Sequence, residues 1–396
     1  MAGCSSGLGD RIRRRMTRSD GSYQVAVIGA GPMGSFAAER LARAGLRVLL
    51  LEKDPVPGTS TVCGGGMHIE VPRYASLPDH VIERQFRACR LVVNGKTREW
   101  HFATTQYVTV KRSELDRYMA ERAVKAGASL RTSALVNEIR ASAGILRYQE
   151  TDTGRLHEAA AEVFIFADGP NSLAFRTIPG LTPARAVRWV GVEYDLAARP
   201  GEFDALEIML DRRRLSFGYY WVFPKSDHVN VGLIRWATAG GPPLRGMLDD
   251  FVESRDDLRG RTMLRKLGGV IPAITVPRFQ WENCLVIGDA AGMLNPLTGG
   301  GYICGFLSAN LAAQTCVEAF ESGRLDPGRL RRYGRRVRRT HHFWVVRCLS
   351  LLLEGMAFLD RRFRWPLYPA VFEAYFRFMH LLLLRVARPI SSGGGG

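Results

Sequence analysis

Hydrophobic positions in this chain fall into three patterns. Continuous apolar runs at Val25-Ala-Val-Ile28, Val48-Leu-Leu-Leu51, Val163-Phe-Ile-Phe166 and Cys284-Leu-Val-Ile287 each stop at a glycine, an alanine or an acid. Runs of four apolar residues bounded in this way predict strands buried on both faces, as in a parallel α/β sheet. A second pattern alternates. Val190, Val192 and Tyr194 are interleaved with Gly191 and Glu193, and with Gly218 through Leu233 they predict a half-buried antiparallel sheet. The third is helical: Lys111 through Ala126 predicts a helix capped by Ser113, with Ala128 through Arg140 returning as a strand, and Leu330, Tyr333 and Val337 recur at helical spacing among arginines. The fold class expected is α/β (α+β).

The ends of the apolar runs carry the chemistry. After Ile28 the chain reads Gly29-Ala-Gly31-Pro-Met-Gly34, then a helical pattern through Leu41, then a strand ending in Glu52. This is a dinucleotide fingerprint in its expected setting: Gly29 makes the tight turn, Gly31 admits a pyrophosphate, Gly34 lets helix and strand pack, and Glu52 can hold ribose hydroxyls. Near the other end, the 284–288 run delivers Asp289 to a strand end, where a carboxylate can accept hydrogen bonds from a ribityl chain. Ala290, Ala291 and Gly292 leave N–H groups at the start of the next helix. Pro296, Gly299, Gly300 and Gly301 then allow main chain to approach a flat ring. Between the two lies Asp168-Gly169-Pro-Asn-Ser172, a third strand end for which a nicotinamide dehydrogenase has no use. Together the three predict noncovalent FAD. Arg112, at a helix entry, is either a phosphate ligand or a surface arginine.

In this order, the motifs resemble the flavoprotein superfamily of aromatic hydroxylases, flavin halogenases and geranylgeranyl reductases. Cys63-Gly-Gly-Gly66, Tyr219-Tyr-Trp221-Val-Phe223-Pro224-Lys225 with Val229-Asn-Val-Gly232, and Asn295-Pro-Leu-Thr-Gly299 are similar to the geranylgeranyl reductase family, over about Tyr23 to Gly323. Gly300 and Tyr302 depart from the family pattern of an acidic and an aliphatic residue, which bears on the substrate rather than the flavin. The resemblance implies an FAD-dependent reductase that saturates isolated C=C bonds of a prenyl chain by hydride from flavin N5 plus a proton. It implies Cys63, Tyr219 and Trp221 as catalytic residues and Tyr219, Trp221 and Phe223 as substrate lining. Strand alternation puts those three aromatics on one face and Tyr220 on the other, and by itself reads equally as sheet core. His68 and Tyr302 are further proton-donor candidates. NAD(P)H or reduced ferredoxin would supply electrons, and the substrate stays open among a prenyl diphosphate, a prenylated glycerol lipid, a menaquinone tail and a chlorophyll side chain. A monooxygenase or halogenase shares the cofactor motifs, and a prenyl-lipid binding protein could share the fold. An electron-transfer quinone oxidoreductase would need four C-terminal cysteines for an iron–sulfur cluster, and the sequence lacks them.

Segments follow from the motifs: a basic arm at 1–22, an FAD-binding domain at 23–80, 106–185 and 279–323, a substrate-binding sheet at 81–105 and 186–278, and a helical segment at 324–390. The hydrophobic content of 46% in 396 residues suffices for two cores. Seven cysteines without a CxxC pair argue against a metal cage or a secreted disulfide framework and favour a reduced, cytoplasmic setting. A net charge of +17 comes with no nucleic-acid-binding motif, and its densest patch is Arg329–Arg339, followed by aromatic and leucine runs broken by Arg347, Glu354, Asp360 and Arg377. Peripheral contact with an anionic membrane is expected, since no uninterrupted run reaches the ~20 residues that cross a bilayer. The basic residues at 11–18 lack a following apolar stretch, so no export signal is expected.

Overall fold

The computed structural model describes residues 22–181, 188–237, 241–323, 325–363 and 367–386. The expected basic arm, Cys4 within it and the terminal glycines lie outside the described residues. The described residues form two compact units, one falling within 1–61, 112–187 and 272–350, the other within 62–111, 188–271 and 351–396. The division falls at Thr61 and Arg112, not at 80 and 106 as the sequence suggested, because strand Gly66–His68 pairs with Tyr107–Thr109, which also pairs with Arg84–Phe86. The Cys63 turn therefore belongs to the sheet unit.

In the first unit, strands Cys284–Val286, Leu156–Phe166, Ser22–Ile28, Val48–Leu51 and Ser129–Arg131 lie side by side and parallel. Their central residues are almost wholly buried, Val25, Val27, Val163 and Phe164 being 0% exposed, as continuous apolar runs require. Helices Pro32–Arg43 and Tyr302–Glu321 pack together, with Phe36 edge-on to Phe306 at 5.0 Å. Gly305 makes this approach possible, since a Cβ there would stand 2.8 Å from the Met33 methyl. The helix Arg112–Lys125 starts one residue before its expected serine cap. Ala128–Arg140 is not one strand: Ser133, at φ 50°, separates Ser129–Arg131 from Ala134–Arg140, which turns away to pair antiparallel with Ile145–Glu150.

Helix Pro327–Arg339 is capped by Asp326, whose side chain accepts the Arg329 N–H at 3.0 Å. It buries Leu330, Tyr333 and Val337, as their spacing predicted, and the Tyr333 hydroxyl donates to the Val286 carbonyl at 2.7 Å. Among the described residues, two helices are long and apolar enough to cross a bilayer by length and composition, Tyr302–Glu321, which is largely buried, and His341–Asp360, which is largely not. Both are interrupted by charge, the first at Glu318 and the second at Arg347 and Glu354, so neither is the uninterrupted run that the sequence reading looked for.

The second unit is built on a seven-stranded sheet in the order Met263–Pro272, Arg188–Ala197, His228–Trp236, Gly218–Pro224, Leu206–Leu210, Ala88–Val93, Lys96–His101. Gly218–Pro224 pairs antiparallel with His228–Trp236, setting Tyr219 opposite Ile234, Trp221 opposite Gly232 and Phe223 opposite Asn230. One face packs Tyr220, Val222, Val231 and Leu233 against helix Leu244–Glu253, with Tyr220 stacked on Phe251 at 4.5 Å. The opposite face carries Tyr219, Trp221 and Phe223. Tyr219 packs against Phe372 of helix Tyr368–Val386 at 5.3 Å.

Candidate functional site

Each unit holds one constellation. In the first, the parallel register aligns Ile28 with Phe166 and Phe166 with Val286. The loops that follow, at Gly29, Asp168 and Asp289, therefore leave the carboxyl ends of three adjacent strands, where ligands of open α/β sheets bind. The loops interlock. Gly29, at φ +98°, has the Ala167 carbonyl oxygen 2.6 Å from where a Cβ would be, and a Cβ on Gly34 would stand 1.9 Å from the Gly29 oxygen. Gly31 differs: its backbone is extended, at φ −65° and ψ 178°, and only Arg112 Nη2 and Asp116 Oδ2 approach a Cβ there, at 3.9 and 4.0 Å. That open space at the start of helix Pro32–Arg43 is where a pyrophosphate can sit.

The acids divide by task. Glu52 accepts the Ala30 N–H at 2.9 Å and the Asp54 N–H at 3.0 Å, and burial raises its pKa against the pull of those bonds. It ties down the glycine loop as well as ending the strand. Asp168 accepts the Ser172 hydroxyl and the Leu173 N–H, the latter at 2.7 Å, and burial pushes it up to about 6. Its carboxylate shapes its own loop, beside which Gly169 turns at φ +79°. Asp289 is different. Among the described residues its carboxylate accepts no hydrogen bond; burial raises its pKa and Arg112 lowers it. It leaves a hydrogen-bond acceptor at a strand end, as a ribityl hydroxyl would require.

Arg112 makes a two-pronged ion pair with buried Asp116, at 2.7 and 2.8 Å, and so stands fixed beside the Gly31 space. In the last loop Gly292, at φ +64°, lies against the Ile274 carbonyl, Gly299 donates to the Asn295 carbonyl at 2.9 Å, and Asn295 donates to that of Gly300 at 2.9 Å. Gly301 leaves room for Asp289, whose Oδ1 would be 3.1 Å from a Cβ. Tyr302 opens the helix that follows, with its ring 6.5 Å from Phe306. The open Gly31 space, the fixed Arg112 and the Asp289 carboxylate, which accepts no hydrogen bond among the described residues, fit FAD.

In the second unit the Cys63-Gly-Gly-Gly66 turn lies on the aromatic face. A Cβ on Gly64 would be 2.8 Å from Trp221 Nε1, and one on Gly66 would be 2.9 Å from the Phe223 ring. The Trp221 indole in turn covers Gly232, where a Cβ would meet it at 2.2 Å. Sequence reasoning found these aromatics and glycines. It missed the polar side chains interleaved with them. Glu193 accepts the Cys63 N–H at 3.0 Å, Lys225 donates to the Gly64 carbonyl at 2.6 Å, and the Gly65 N–H points at Cys63 Sγ at 3.4 Å. Trp221 Nε1 donates to Asn230 at 2.7 Å, Asn230 donates to Asp195 at 2.8 Å, and Arg265 donates to Asp195 at 3.0 Å. The available signal was charge inside strands otherwise apolar: Glu193 and Asp195 in one, Lys225 directly after Pro224 in another. Burial, and then the Cys63 charge, push the Tyr219 phenol well up, so it keeps its proton. His68 sits off this cluster: its Nδ1 accepts the Glu70 N–H at 3.3 Å and burial lowers its pKa, which keeps the ring neutral.

A parallel sheet with three glycine-rich strand ends at one edge, in a chain that also carries an antiparallel sheet with an aromatic face, defines the class of FAD-dependent oxidoreductases that includes flavin halogenases and monooxygenases. Solved structures agree on the fold: a geranylgeranyl bacteriochlorophyll reductase-like protein from Thermoplasma acidophilum superposes with TM-score 0.74 at 21% identity, covering 88% of this chain and 98% of that one. The myxobacterial chondrochloren halogenase gives 0.68 at 17% identity, covering 94% and 93%. The family described as lycopene cyclase protein matches residues 24–366. A digeranylgeranylglycerophospholipid reductase of Methanothermobacter thermautotrophicus is 32% identical over 84% of this chain and 88% of its own length, and one from Thermoplasma volcanium is 28% identical over 80% and 83%. The chain belongs to the geranylgeranyl reductase family, FAD-dependent oxidoreductases acting on carbon–carbon double bonds.

Proposed function

We propose that this protein saturates the isolated trisubstituted alkenes of geranylgeranyl chains carried by a glycerophospholipid or a prenyl diphosphate. The observation that carries this reading is the Cys63 turn packed directly on the Trp221–Phe223 wall, so closely that no Cβ fits at Gly64 or Gly66. Relatives named for a digeranylgeranyl glycerophospholipid favour the lipid over the diphosphate. Reduced FAD supplies hydride from N5 when bound. Gly31, Arg112 and Asp289 would hold its pyrophosphate and ribityl chain, with Glu52 at the ribose. An unpolarised trisubstituted alkene accepts hydride at its tertiary carbon only as a proton reaches the other carbon and the cationic character developing at the tertiary carbon is stabilised. The side chains of Tyr219, Trp221 and Phe223, which share one face of the sheet, would do the latter. Cys63 places the proton donor, whether the thiol itself or a water it holds, and Tyr219, kept protonated, backs it. NAD(P)H or reduced ferredoxin renews the flavin.

The protein works at the surface of an anionic membrane without crossing it. Trp344, Val345, Leu351, Leu352 and Phe358 are 43–58% exposed and recur every second turn of helix His341–Phe363, with Arg347 and Glu354 along one edge of that stripe. Arg331, Arg332, Arg335 and Arg339 are exposed on the preceding helix, each supplying about 1 kcal/mol near anionic headgroups. The test is anaerobic incubation of the dithionite-reduced holoprotein with a digeranylgeranyl glycerophospholipid in micelles, followed by mass spectrometry. Addition of two hydrogens per double bond is expected. An untouched lipid with oxygenated or chlorinated product in air would replace this reading with that of a monooxygenase or halogenase.

A further inference from the structure

Two oppositely charged side chains are buried beneath the Cys63 turn, and the chemistry described so far uses neither. Glu193 is 2% exposed and Lys225 is 4% exposed. They hold successive backbone groups of the turn: Glu193 takes the N–H of Cys63, and Lys225 gives to the carbonyl of Gly64. The turn has little stiffness of its own, because residues 64, 65 and 66 are glycines. Gly65, at φ +65°, is held on its far side by the Val110 N–H, which donates to its carbonyl at 2.9 Å. The sheet explains how the grip is built: Glu193 lies opposite Gly232, which lies opposite Trp221, so acid, glycine and indole form one row across three strands.

Burying two charges to hold a turn that neutral amides could hold equally well is costly, and buried charge is poor evidence for stability alone. Misplacing a reacting group by about 1 Å can cost about a hundredfold in rate. We propose that Glu193 and Lys225 are positioning residues of alkene reduction, gripping the Cys63–Gly64 segment as a charged pair and so fixing where the Cys63 thiol is presented. This rests on the prenyl reductase reading above.

The grip is complete only in a limited pH window. Burial pushes Glu193 up to about 7, with Asp195 adding to the rise while the Cys63 N–H, Arg265 and Lys225 oppose it. Burial brings Lys225 down to about 8, against the charges of Cys63, Glu193, Asp195 and Glu83. His228 faces Asp195 at 3.5 Å and stands one residue from Asp227. Below about 7 Glu193 takes up a proton, and above about 8 Lys225 loses one. Placement of the thiol should therefore fall off on both sides.

The experiment compares wild type, Glu193→Gln, Lys225→Met and Lys225→Arg as flavin-loaded proteins across pH 6–9, with two readouts. One is single-turnover reduction of the prenyl lipid; the other is the rate of iodoacetamide modification of Cys63, resolved by peptide mass spectrometry. Glu193→Gln keeps the acceptor for the Cys63 N–H and removes only the charge. It should lower kcat by about tenfold with KM within about twofold, as expected for one charge-assisted hydrogen bond, and should abolish the acidic limb of both profiles. Lys225→Met should lower kcat and abolish the alkaline limb. Lys225→Arg should recover much of the rate while the alkaline limb stays absent, since a guanidinium keeps its charge throughout this range. Variants with wild-type kcat, wild-type limbs and an unaltered Cys63 modification profile would overturn the proposal. If Lys225→Met does not fold, Glu193→Gln and Lys225→Arg still decide it. If the wild type reduces no prenyl lipid, the proposed function falls, while the modification profiles still decide whether the pair controls the thiol.

Discussion

Gly31 and Gly34 belong to one fingerprint, yet their substitution should fail in different ways. Gly31 has extended backbone that any residue adopts, and a Cβ there meets nothing closer than 3.9 Å. In Gly31→Val the apoprotein should keep its stability, and loss of glycine freedom in the unfolded chain could add about 0.4–1 kcal/mol. The valine fills the space offered to the pyrophosphate. Losing one charge-assisted N–H contact costs about 1.5–3 kcal/mol, a roughly ten- to hundredfold weaker hold on FAD. Gly34→Ala is the reverse case. Its Cβ would stand 1.9 Å from a backbone oxygen and 3.0 Å from the Ala167 Cβ, and neither is a flexible side-chain end. Overpacking of this kind costs about 3 kcal/mol, on the order of 10 °C in Tm for a unit of this size. The flavin-to-protein absorbance ratio after desalting, and thermal unfolding of both apoproteins, separate the two effects. A Gly31→Val protein with full flavin, or a Gly34→Ala protein as stable as wild type, refutes the reasoning.

Cys63→Ala should keep the flavin and lose under about 1.5 kcal/mol of stability, while changing the rate or the number of double bonds reduced; an unchanged product series would make Cys63 a packing residue. Charge reversal at Arg331, Arg332, Arg335 and Arg339 should weaken binding to anionic vesicles, read by co-sedimentation at two salt concentrations. Arg336 and Arg338 are poor choices, since one pairs with Glu318 at 2.8 Å and the other donates to the Pro277 carbonyl at 2.9 Å. Vesicle binding indifferent to both salt and reversal would count against the membrane reading. Glu193, raised from 4.5 to about 7, contributes stability that is full below about 4.5 and is lost as pH rises through about 7. Wild type minus Glu193→Gln in urea unfolding should accordingly fall by about 1–3 kcal/mol between pH 5 and 7.5, and a flat difference would show that Glu193 titrates normally.

Local order was legible where a single strand and the loop after it carry the whole message. The apolar runs ending in Gly29, Asp168 and Asp289 announced a parallel sheet and a flavin, because burial on both faces and freedom from a Cβ are properties of each segment alone. Alternation likewise placed Tyr219, Trp221 and Phe223 on one face and Tyr220 on the other. Which chain positions meet was a different matter. Glu193 and Lys225 reach the Cys63 turn from 130 residues and 161 residues away, through strand register. Asp168 binds its own loop, and Ser133 breaks an expected strand, because hydrogen bonding and backbone twist at those points depend on what the folded sheet leaves unsatisfied. Sequence periodicity records which side of an element is buried; the partners of a buried charge are set by register between strands distant in the chain, and only the tertiary structure fixes that.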